Sequence, residues 1–385
     1  MPKITGVETF YFSAKHHNAS RNWLIVKVLT DEPGVFGLGD ASGLGNDAQV
    51  QSLIEEWTEK YLKGQDPLDT EALWTLIYYN NQARGGRIET TALSGIDMAL
   101  WDLKGKILGQ PVYKLLGGAH RPNIRVYANG WYTNPGTPQQ NAEEAKRVVD
   151  MGYTAMKFDP FAQDNYYNIS LSEAQTAEDR VAAVRDAVGP NVDVLVEVHA
   201  KFSVATAIHL GQRLEKFYPL WFEEPTSPEN VSEMAEVRQR VNIPIATGEK
   251  LYTKFPFMQL IEAQAVDVLQ PDIANAGGIT ELKKIAAIAE AKHVNMAPHN
   301  TCSPVGAQAE MHLDLTMTNF LIQEYHAEFY DAHYFTAFDG FPRQKDGYVE
   351  LPDTPGLGLT MNEDVLNAHP YTPGAGARGG TRKRI

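Results

Sequence analysis

Three glutamates in the second half of the chain recur at equal intervals and offer the side chains that bind hard metal ions. Glu197, Glu223 and Glu249 each end a short apolar run, and successive members lie 26 residues apart. That interval is the length of one strand–helix unit of a parallel sheet, so it predicts that the three carboxylates stand side by side. Adjacent carboxylates repel one another strongly in a low-dielectric pocket, and a divalent cation removes that repulsion. We therefore expect a metal site.

Magnesium is the cation that these side chains favour. Mg²⁺ binds a few carboxylate oxygens and keeps positions for water or substrate oxygens. A zinc site would be expected to carry several histidines, whereas glutamate dominates here. The alternative without a metal is that each glutamate only caps the helix that follows it, which explains one glutamate more readily than three in register.

Further strand ends carry acid–base groups. Asp272 and His299 lie 27 residues apart, Glu324 is in "FLIQEY", and "MKFDP" contains Lys157 and Asp159. An aspartate beside a histidine orients the ring, fixes its tautomer and supports its protonated form, so Asp272 and His299 are the expected general base. Lys157 would neutralise an anion bound beside the metal, or else form an ion pair at the rim.

The stretch "VLVEVHAKF" at 194–202 adds a second histidine. Side chains alternate between the two faces of a strand, so Glu197 and His199 are predicted to share a face. His199 would then overlook a substrate bound to the metal. The alternative is that His199 only steadies a metal ligand.

The order of apolar runs predicts the scaffold that positions these groups. Residues 1–124 begin with strand-like runs and continue with helical ones, which indicates an α+β domain. Over 125–345, eight short apolar runs alternate with amphipathic helices, which predicts a (β/α) barrel, with a doubly wound open sheet as the alternative. Polar residues end at least six of the eight runs, and only a barrel brings every strand end to one mouth. We expect 346–385 to pack back on the first domain and to end in a flexible tail.

Composition and charge exclude several classes of function. The 385 residues carry a net charge of −14, which disfavours nucleic acids and anionic membranes as partners. The sequence shows neither a membrane-spanning apolar run nor a signal-peptide core. The single cysteine, Cys302, is expected to be a small loop residue and fits a reducing compartment. We therefore expect a cytoplasmic protein, and an anionic substrate would need local cations to offset the net negative charge.

The motif order resembles the enolase superfamily in its mandelate racemase-like branch. Within that branch, "LQPDIANAGGITE", "APHNTCSPVG" and "LIQEY" are similar to galactonate and gluconate dehydratases, and "VYANGWY" and "MKFDPF" to gluconate dehydratases. The resemblance implies a (β/α)7β barrel of the TIM type with an N-terminal α+β capping domain, and a homo-oligomer with an even number of subunits. It also implies Mg²⁺ bound by Glu197, Glu223 and Glu249. Galactonate dehydratases generally carry aspartate at the position of Glu197.

The resemblance implies a reaction as well: Mg²⁺-dependent dehydration of a sugar acid, such as D-gluconate or D-galactonate, to a 2-keto-3-deoxy acid. His299, supported by Asp272, would remove the proton from C2, giving a metal-stabilised enediolate. His199 would protonate the hydroxide that leaves C3. Glu324 would hydrogen-bond the substrate or the intermediate.

Other reactions and other substrate contacts stay open at this point. The alternatives are a different acid-sugar dehydratase, a racemase or epimerase, a cycloisomerase, or a non-catalytic metal-binding scaffold. A racemase of this branch uses a second lysine where this chain has Asp159. Substrate contacts are predicted for Asp159, for Arg84, and for His16 and His17 in the loop 14–23.

Overall fold

The N-terminal part is an antiparallel sheet covered by helices. In the computed structural model, residues 1–16, 19–43, 45–82, 84–134, 136–162 and 166–373 are described. Three strands pair in chain order: β1 (Ile4–His16), β2 (Ala19–Thr30) and β3 (Phe36–Asp40). The helices that follow are α1 (Asp47–Trp57), which continues as a π-helical turn over Thr58–Leu62, then α2 (Thr70–Asn80), α3 (Arg87–Leu108) and the short α4 (Val112–Leu115).

The long helix α3 lies directly against β3. The close approach depends on Gly37 and Gly39, because a Cβ atom on Gly39 would lie 2.0 Å from the carbonyl oxygen of Gly95. The helix and the sheet thus share a core with no space for a side chain at these positions.

The following part of the chain forms eight parallel strands with helices between them. The strands are β4 (Ile124–Ala128), β5 (Ala155–Phe158), β6 (Asp193–Glu197), β7 (Phe222–Glu223), β8 (Ile245–Thr247), β9 (Val268–Leu269), β10 (Asn295–Met296) and β11 (Gln323–Tyr325). The helices between them are α5 (Pro138–Asp150), α6 (Leu171–Val188), α7 (Val204–Leu214), α8 (Val231–Arg240), α9 (Lys254–Glu262), α10 (Gly278–Glu290) and α11 (Pro304–Asp314). A 3-10 turn, Glu215–Phe217, extends α7. All eight predicted apolar runs contain a strand.

The parallel sheet curls until its first and last strands meet. β4 pairs with β5 on one side and with β11 on the other. At the remaining edge, the amide of Met296 donates to Asn319 O (2.9 Å), and the amide of Leu321 donates to Met296 O (2.8 Å). The prediction of a (β/α)7β barrel is confirmed, and the doubly wound sheet is wrong because an open sheet leaves its outer strands unpaired.

The inside of the barrel is packed with one apolar side chain from each strand or its immediate neighbour. Two residues farther along each strand, the side chain again points inward but lies one layer nearer the mouth. The functional groups predicted from the sequence belong mainly to this second layer. The apolar layer consists of Tyr127, Ala155, Leu195, Trp221, Ala246, Val268, Ala297 and Ile322.

The C-terminal part returns to the N-terminal sheet. It contains a 3-10 turn (Ala327–Phe329), α12 (His333–Thr336), β12 (Phe338–Asp339), β13 (Tyr348–Val349), β14 (Thr360–Met361) and α13 (Glu363–Ala368). β13 pairs with β4, the amide of Ser13 donates to His369 O (2.9 Å), and the amide of Thr372 donates to Asn22 Oδ1 (2.9 Å). β13 thus extends the barrel sheet, whereas the contacts of Ser13 and Asn22 reach the N-terminal sheet. The division at 1–124, 125–345 and 346–385 stays a prediction. The predicted tail beyond residue 373 lies outside the described residues.

The N-terminal part docks on the end of the barrel at which the polar strand ends lie. Asp40 accepts a hydrogen bond from the amide of Ser303 (2.7 Å), and the indole of Trp23 donates to Thr301 O (3.0 Å). The indole of Trp74 donates to Gly277 O on the loop after β9 (2.8 Å). The capping sheet and its helices therefore cover the mouth. Across the described ranges, every helix is too short or too polar to span a bilayer.

Substitution of Gly39 by alanine is predicted to destabilise the fold. The new Cβ would clash with the backbone of α3, and overpacking of this kind costs about 3 kcal/mol. Gly6 is the matched control, because a Cβ there would have no neighbour within 4 Å. Urea unfolding should show a lowered midpoint for Gly39→Ala and a change within about 0.5 kcal/mol for Gly6→Ala. Equal stability of the two variants would contradict the close contact between β3 and α3.

Candidate metal centre and active site

The three glutamates lie together at the mouth of the barrel. Glu197 and Glu223 are paired across β6 and β7, and Glu249 follows β8 by two residues. One carboxylate oxygen from each lies within 4.8 Å of the other two. Glu197 and Glu223 are each only 1% exposed. The equal spacing in the sequence thus correctly predicted three adjacent carboxylates.

The electrostatics of this cluster favour a bound cation. Burial, together with the negative charge of Glu223, raises the pKa of Glu197 to about 8. Glu197 Oε2 lacks a hydrogen-bond partner among the described residues, although Lys157 Nζ lies 3.3 Å away. A buried carboxylate oxygen without a hydrogen bond is costly unless a cation binds it. The buried acidic triad is therefore a candidate divalent-metal site, and its oxygen-only donors fit a hard cation.

Lys157 is buried among the carboxylates rather than placed at the rim. Its Nζ lies 2.7 Å from Glu223 Oε1, 3.3 Å from Glu197 Oε2 and 3.3 Å from Glu324 Oε1. Burial disfavours the ammonium group, but the charges of Glu223 and Glu324 outweigh that effect and raise its pKa. Lys157 therefore carries a fixed positive charge beside the metal site.

A second lysine balances the other side of the cluster. Lys250 contacts Glu224 and lies 2.5 Å from Glu249 Oε1. Burial raises the pKa of Glu224 to about 7, although the charge of Lys250 opposes this. Glu249 also lies 3.1 Å from His299 Nε2, so it connects the metal site to the predicted base.

His299 has the geometry expected of a base oriented by an aspartate. Its Nδ1 lies 2.7 Å from Asp272 Oδ2, while Asp272 Oδ1 accepts from the amide of Ala274 (2.9 Å). The carboxylate of Asp272 accepts a hydrogen bond from Nδ1–H, which favours the tautomer with the proton on Nδ1 and leaves Nε2 facing Glu249. Burial lowers the pKa of His299, but the charges of Glu249 and Glu324 and the hydrogen bond to Asp272 outweigh it and raise the pKa to about 9.

Glu324 is held on the same wall as His299. It accepts hydrogen bonds from Asn129 Nδ2 (2.5 Å) and from the amide of Asn300 (2.8 Å). Burial opposes its ionised form, but the charges of Lys157 and His299 outweigh burial and lower its pKa. Glu324 is therefore an anionic acceptor facing the site, and its predicted contact with substrate stays a prediction.

His199 stands across the mouth from His299, but the reason differs from the one expected. The strand β6 ends at Glu197, and the backbone then turns, with φ 60° at His199, so strand alternation does not apply at that residue. The amide of His199 donates to Glu197 Oε1 (2.7 Å), which places the histidine beside the ligand. β6 and β10 are four strands apart in the barrel, so the two imidazoles approach the mouth from opposite sides.

The four residues predicted to contact the substrate do not all lie at the metal site. His16 lies against the barrel, with Nε2 2.6 Å from Gly130 O, next to Asn129. Asp159 contacts His199 Nδ1 (2.8 Å). Arg84 is exposed and lies over the ring of Tyr79, 5.5 Å from its centroid. His17 lies outside the described residues.

Several residues of the site were missed in the sequence. Lys201 lies two residues after His199, and Lys250 lies one residue after Glu249. Their positions just beyond predicted strand ends could therefore have indicated them. Asn129 belongs to the same inward layer as Lys157. Arg21 carried no such signal, because its hydrogen bond to Thr301 Oγ1 (2.5 Å) joins the capping sheet to the loop after β10.

The similarity to known proteins agrees with this geometry. Residues 11–117 match the mandelate racemase / muconate lactonizing enzyme N-terminal domain, and residues 140–365 match the enolase C-terminal domain-like family. The chain belongs to the enolase superfamily. This membership confirms the family expected from the order of motifs.

Individual relatives cover almost the whole chain. A D-gluconate/D-galactonate dehydratase of Picrophilus torridus is 39% identical over 89% of this chain and 87% of its own. A D-xylonate dehydratase of Haloferax volcanii is 35% identical over 95% of this chain and 89% of its own. The crystal structure of a mandelate racemase/muconate lactonizing enzyme from Jannaschia sp. CCS1 has a TM-score of 0.88 at 35% identity, and the match covers 96% of this chain and 98% of that one.

Removal of one ligand is predicted to weaken metal binding without loss of the fold. Glu249 is only partly buried, so Glu249→Gln keeps its packing while it removes one anionic donor. Isothermal titration should show that the variant binds Mg²⁺ at least about 10-fold more weakly than the unaltered protein. Mg²⁺ should raise the unfolding temperature of the unaltered protein and have a much smaller effect on the variant.

Glu236→Gln is the control for this measurement. Glu236 forms an exposed ion pair with Arg240 on the outer helix α8. The Glu236→Gln variant should bind Mg²⁺ as the unaltered protein does. Unchanged Mg²⁺ affinity in Glu249→Gln would contradict the assignment of the metal site.

Proposed function

We propose that this enzyme is a Mg²⁺-dependent dehydratase that converts an aldonate, such as D-gluconate or D-galactonate, to a 2-keto-3-deoxy acid. At the coarser level it is an acid-sugar hydro-lyase of the enolase superfamily. The observation that carries the proposal is the arrangement of two histidines on opposite sides of a three-carboxylate site. Each histidine has its Nδ1 against an aspartate.

The site is built to stabilise negative charge on a bound carboxylate. A Mg²⁺ ion held by Glu197, Glu223 and Glu249 would supply Lewis acidity toward the substrate carboxylate. Lys157 adds a buried ammonium group on the same wall. This charge is required because a proton on the carbon beside a carboxylate is too weakly acidic for a histidine alone.

His299 is the proposed base for the C2 proton. The charge of Glu249 is the largest of those that raise the pKa of His299, and a cation held by Glu249 would offset it and favour the neutral ring. Asp272 holds Nδ1, so Nε2 is the atom that accepts the proton. The three nearby carboxylates stabilise the imidazolium that results. Glu324, which is fixed by Asn129 and Asn300, is placed to accept a hydrogen bond from the substrate.

His199 is the proposed acid for the loss of water. Hydroxide is a poor leaving group, so the C3 oxygen must receive a proton as its bond to carbon breaks. His199 gives that proton, water leaves, and the enol that remains tautomerises to the 2-keto-3-deoxy acid. Because the base and the acid act from opposite sides of the mouth, we expect an anti elimination.

Racemisation fits the site less well. A two-base racemase of this branch needs a second lysine at position 159, where this chain carries an aspartate that is occupied by His199 and Lys201. A non-catalytic scaffold would have no need for two aspartate-held histidines that face each other across a metal site. Contacts of His16, His17, Arg84 and Asp159 with the rest of the sugar remain proposals.

An assay with several acids tests this proposal. The relatives are named for acids of different length, so D-gluconate, D-galactonate and D-xylonate should each be incubated with the protein and Mg²⁺. We expect a 2-keto-3-deoxy product from at least one acid, complete loss of turnover after chelation, and recovery on addition of Mg²⁺. His299→Asn should lower turnover by at least about 100-fold, because it removes the base.

The surface residue His120 provides the control, since His120→Asn changes an exposed side chain and should keep full activity. Exchange of the C2 proton in D₂O without loss of water would instead indicate a racemase or epimerase. Absence of both exchange and water loss with every acid, or turnover that survives chelation, would refute the proposal.

A further inference from the structure

Asp159 connects His199 to a buried lysine that the mechanism above does not use. Asp159 Oδ2 lies 2.8 Å from His199 Nδ1 and 2.8 Å from Lys201 Nζ. Asp159 Oδ1 accepts a hydrogen bond from the amide of Phe161 (2.9 Å). Asp159 is 2% exposed and Lys201 is 4% exposed, so this ion pair is inside the protein.

The backbone around His199 is shaped to make this contact. His199 and Ala200 both have left-handed conformations, with φ 60° and 58°, which are unfavourable for residues with a side chain. The amide of Ala200 donates to Glu224 O (2.8 Å), and Lys201 O accepts from the amide of Tyr167 (2.8 Å). The turn therefore brings His199 and Lys201 to the same aspartate, although they are separated by one residue.

We propose that Asp159 and Lys201 are positioning residues for His199: they fix its ring across the mouth, keep a proton on Nδ1, and leave Nε2 as the atom that transfers a proton to the C3 oxygen. This inference rests on the proposed dehydration. It goes further because it assigns a role to Lys201 and defines which nitrogen of His199 acts.

The chemistry of an imidazole acid explains why the aspartate is needed. In the acid form both ring nitrogens carry a proton, and the proton that leaves must be the one that faces the substrate. An ionised aspartate can only accept a hydrogen bond, so it retains the proton on Nδ1 and releases the one on Nε2. Among the described residues, Nε2 of His199 has no hydrogen-bond partner, so it is available to the substrate.

Lys201 keeps the aspartate in the state that this requires. Burial disfavours the carboxylate of Asp159, but the hydrogen bond and charge of His199 and the charge of Lys201 outweigh burial and lower its pKa. Asp272, the partner of His299, has no lysine within ion-pair distance in the described part of the chain. Of the two aspartate–histidine pairs, only the pair that contains His199 therefore has a lysine bound to its aspartate among the described residues.

Two variants separate this role from a structural one. Asp159→Asn keeps the shape of the side chain, but its amide NH₂ can donate to Nδ1 and thereby favour the wrong tautomer. Lys201→Met keeps the length and removes the charge. Lys283→Met is the control for loss of a lysine charge, because Lys283 is an exposed lysine that donates to Leu116 O (3.0 Å) outside the site.

Three readings should be taken with the aldonate that the unaltered enzyme dehydrates and with its 3-deoxy-3-fluoro analogue. We expect Asp159→Asn to lower kcat for water loss about 100-fold, and Lys201→Met about 10-fold. C2 proton exchange in D₂O should persist in both variants, since His299 is intact. Release of fluoride from the analogue should also persist, because fluoride leaves with its electron pair and needs no proton from His199.

These measurements distinguish failure of the positioning role from failure of the proposed dehydration. If water loss, C2 exchange and fluoride release fall together, or if water loss is unchanged, the positioning role is refuted. If the unaltered enzyme dehydrates none of the acids, the proposed function fails, and the ¹⁵N chemical shifts of His199 still decide the inference. They should show a proton on Nδ1 in the unaltered protein and on Nε2 in Asp159→Asn; identical shifts in both proteins would overturn it.

Discussion

Repulsion between buried carboxylates is the constraint on which the rest of this structure depends. Glu197, Glu223 and Glu249 lie close enough to share one ion, and the buried Lys157 offsets only part of their charge. Bringing such groups together without a cation is unfavourable in a low-dielectric site. The same excess of negative charge makes the site attract a divalent ion and then, through that ion, an anionic substrate.

The barrel holds the charged groups in place, and the capping part shields them from water. The inward layer of apolar side chains, from Tyr127 round to Ile322, forms a rigid floor, and the next inward layer carries the charges. The capping sheet covers the mouth through Trp23, Asp40 and Trp74. Exclusion of water strengthens every electrostatic interaction inside the site. The two histidines approach from opposite sides because β6 and β10 lie four strands apart in a closed sheet.

The parts of this arrangement that repeat along the chain could be predicted from the sequence, and the parts that depend on a single local turn could not. Equal spacing of glutamates predicted adjacent ligands, since every strand–helix unit advances the chain by one position round the barrel. The position of His199 was predicted for the wrong reason, because its left-handed backbone replaces the strand geometry. Lys201 was missed although it lies next to the motif, since a lysine on a turn has no fixed direction. Arg21 required knowledge of how the capping sheet docks, which no local pattern contains.

The account as a whole requires that one hard cation is held by the three glutamates. Mn²⁺ is chemically close to Mg²⁺ in its preference for oxygen ligands, and it scatters X-rays anomalously. An anomalous difference map from a crystal grown with Mn²⁺ is therefore the most direct test. The account predicts a single strong peak between the carboxylates of Glu197, Glu223 and Glu249. A map without a peak there, or with the ion bound elsewhere at the mouth, would contradict it.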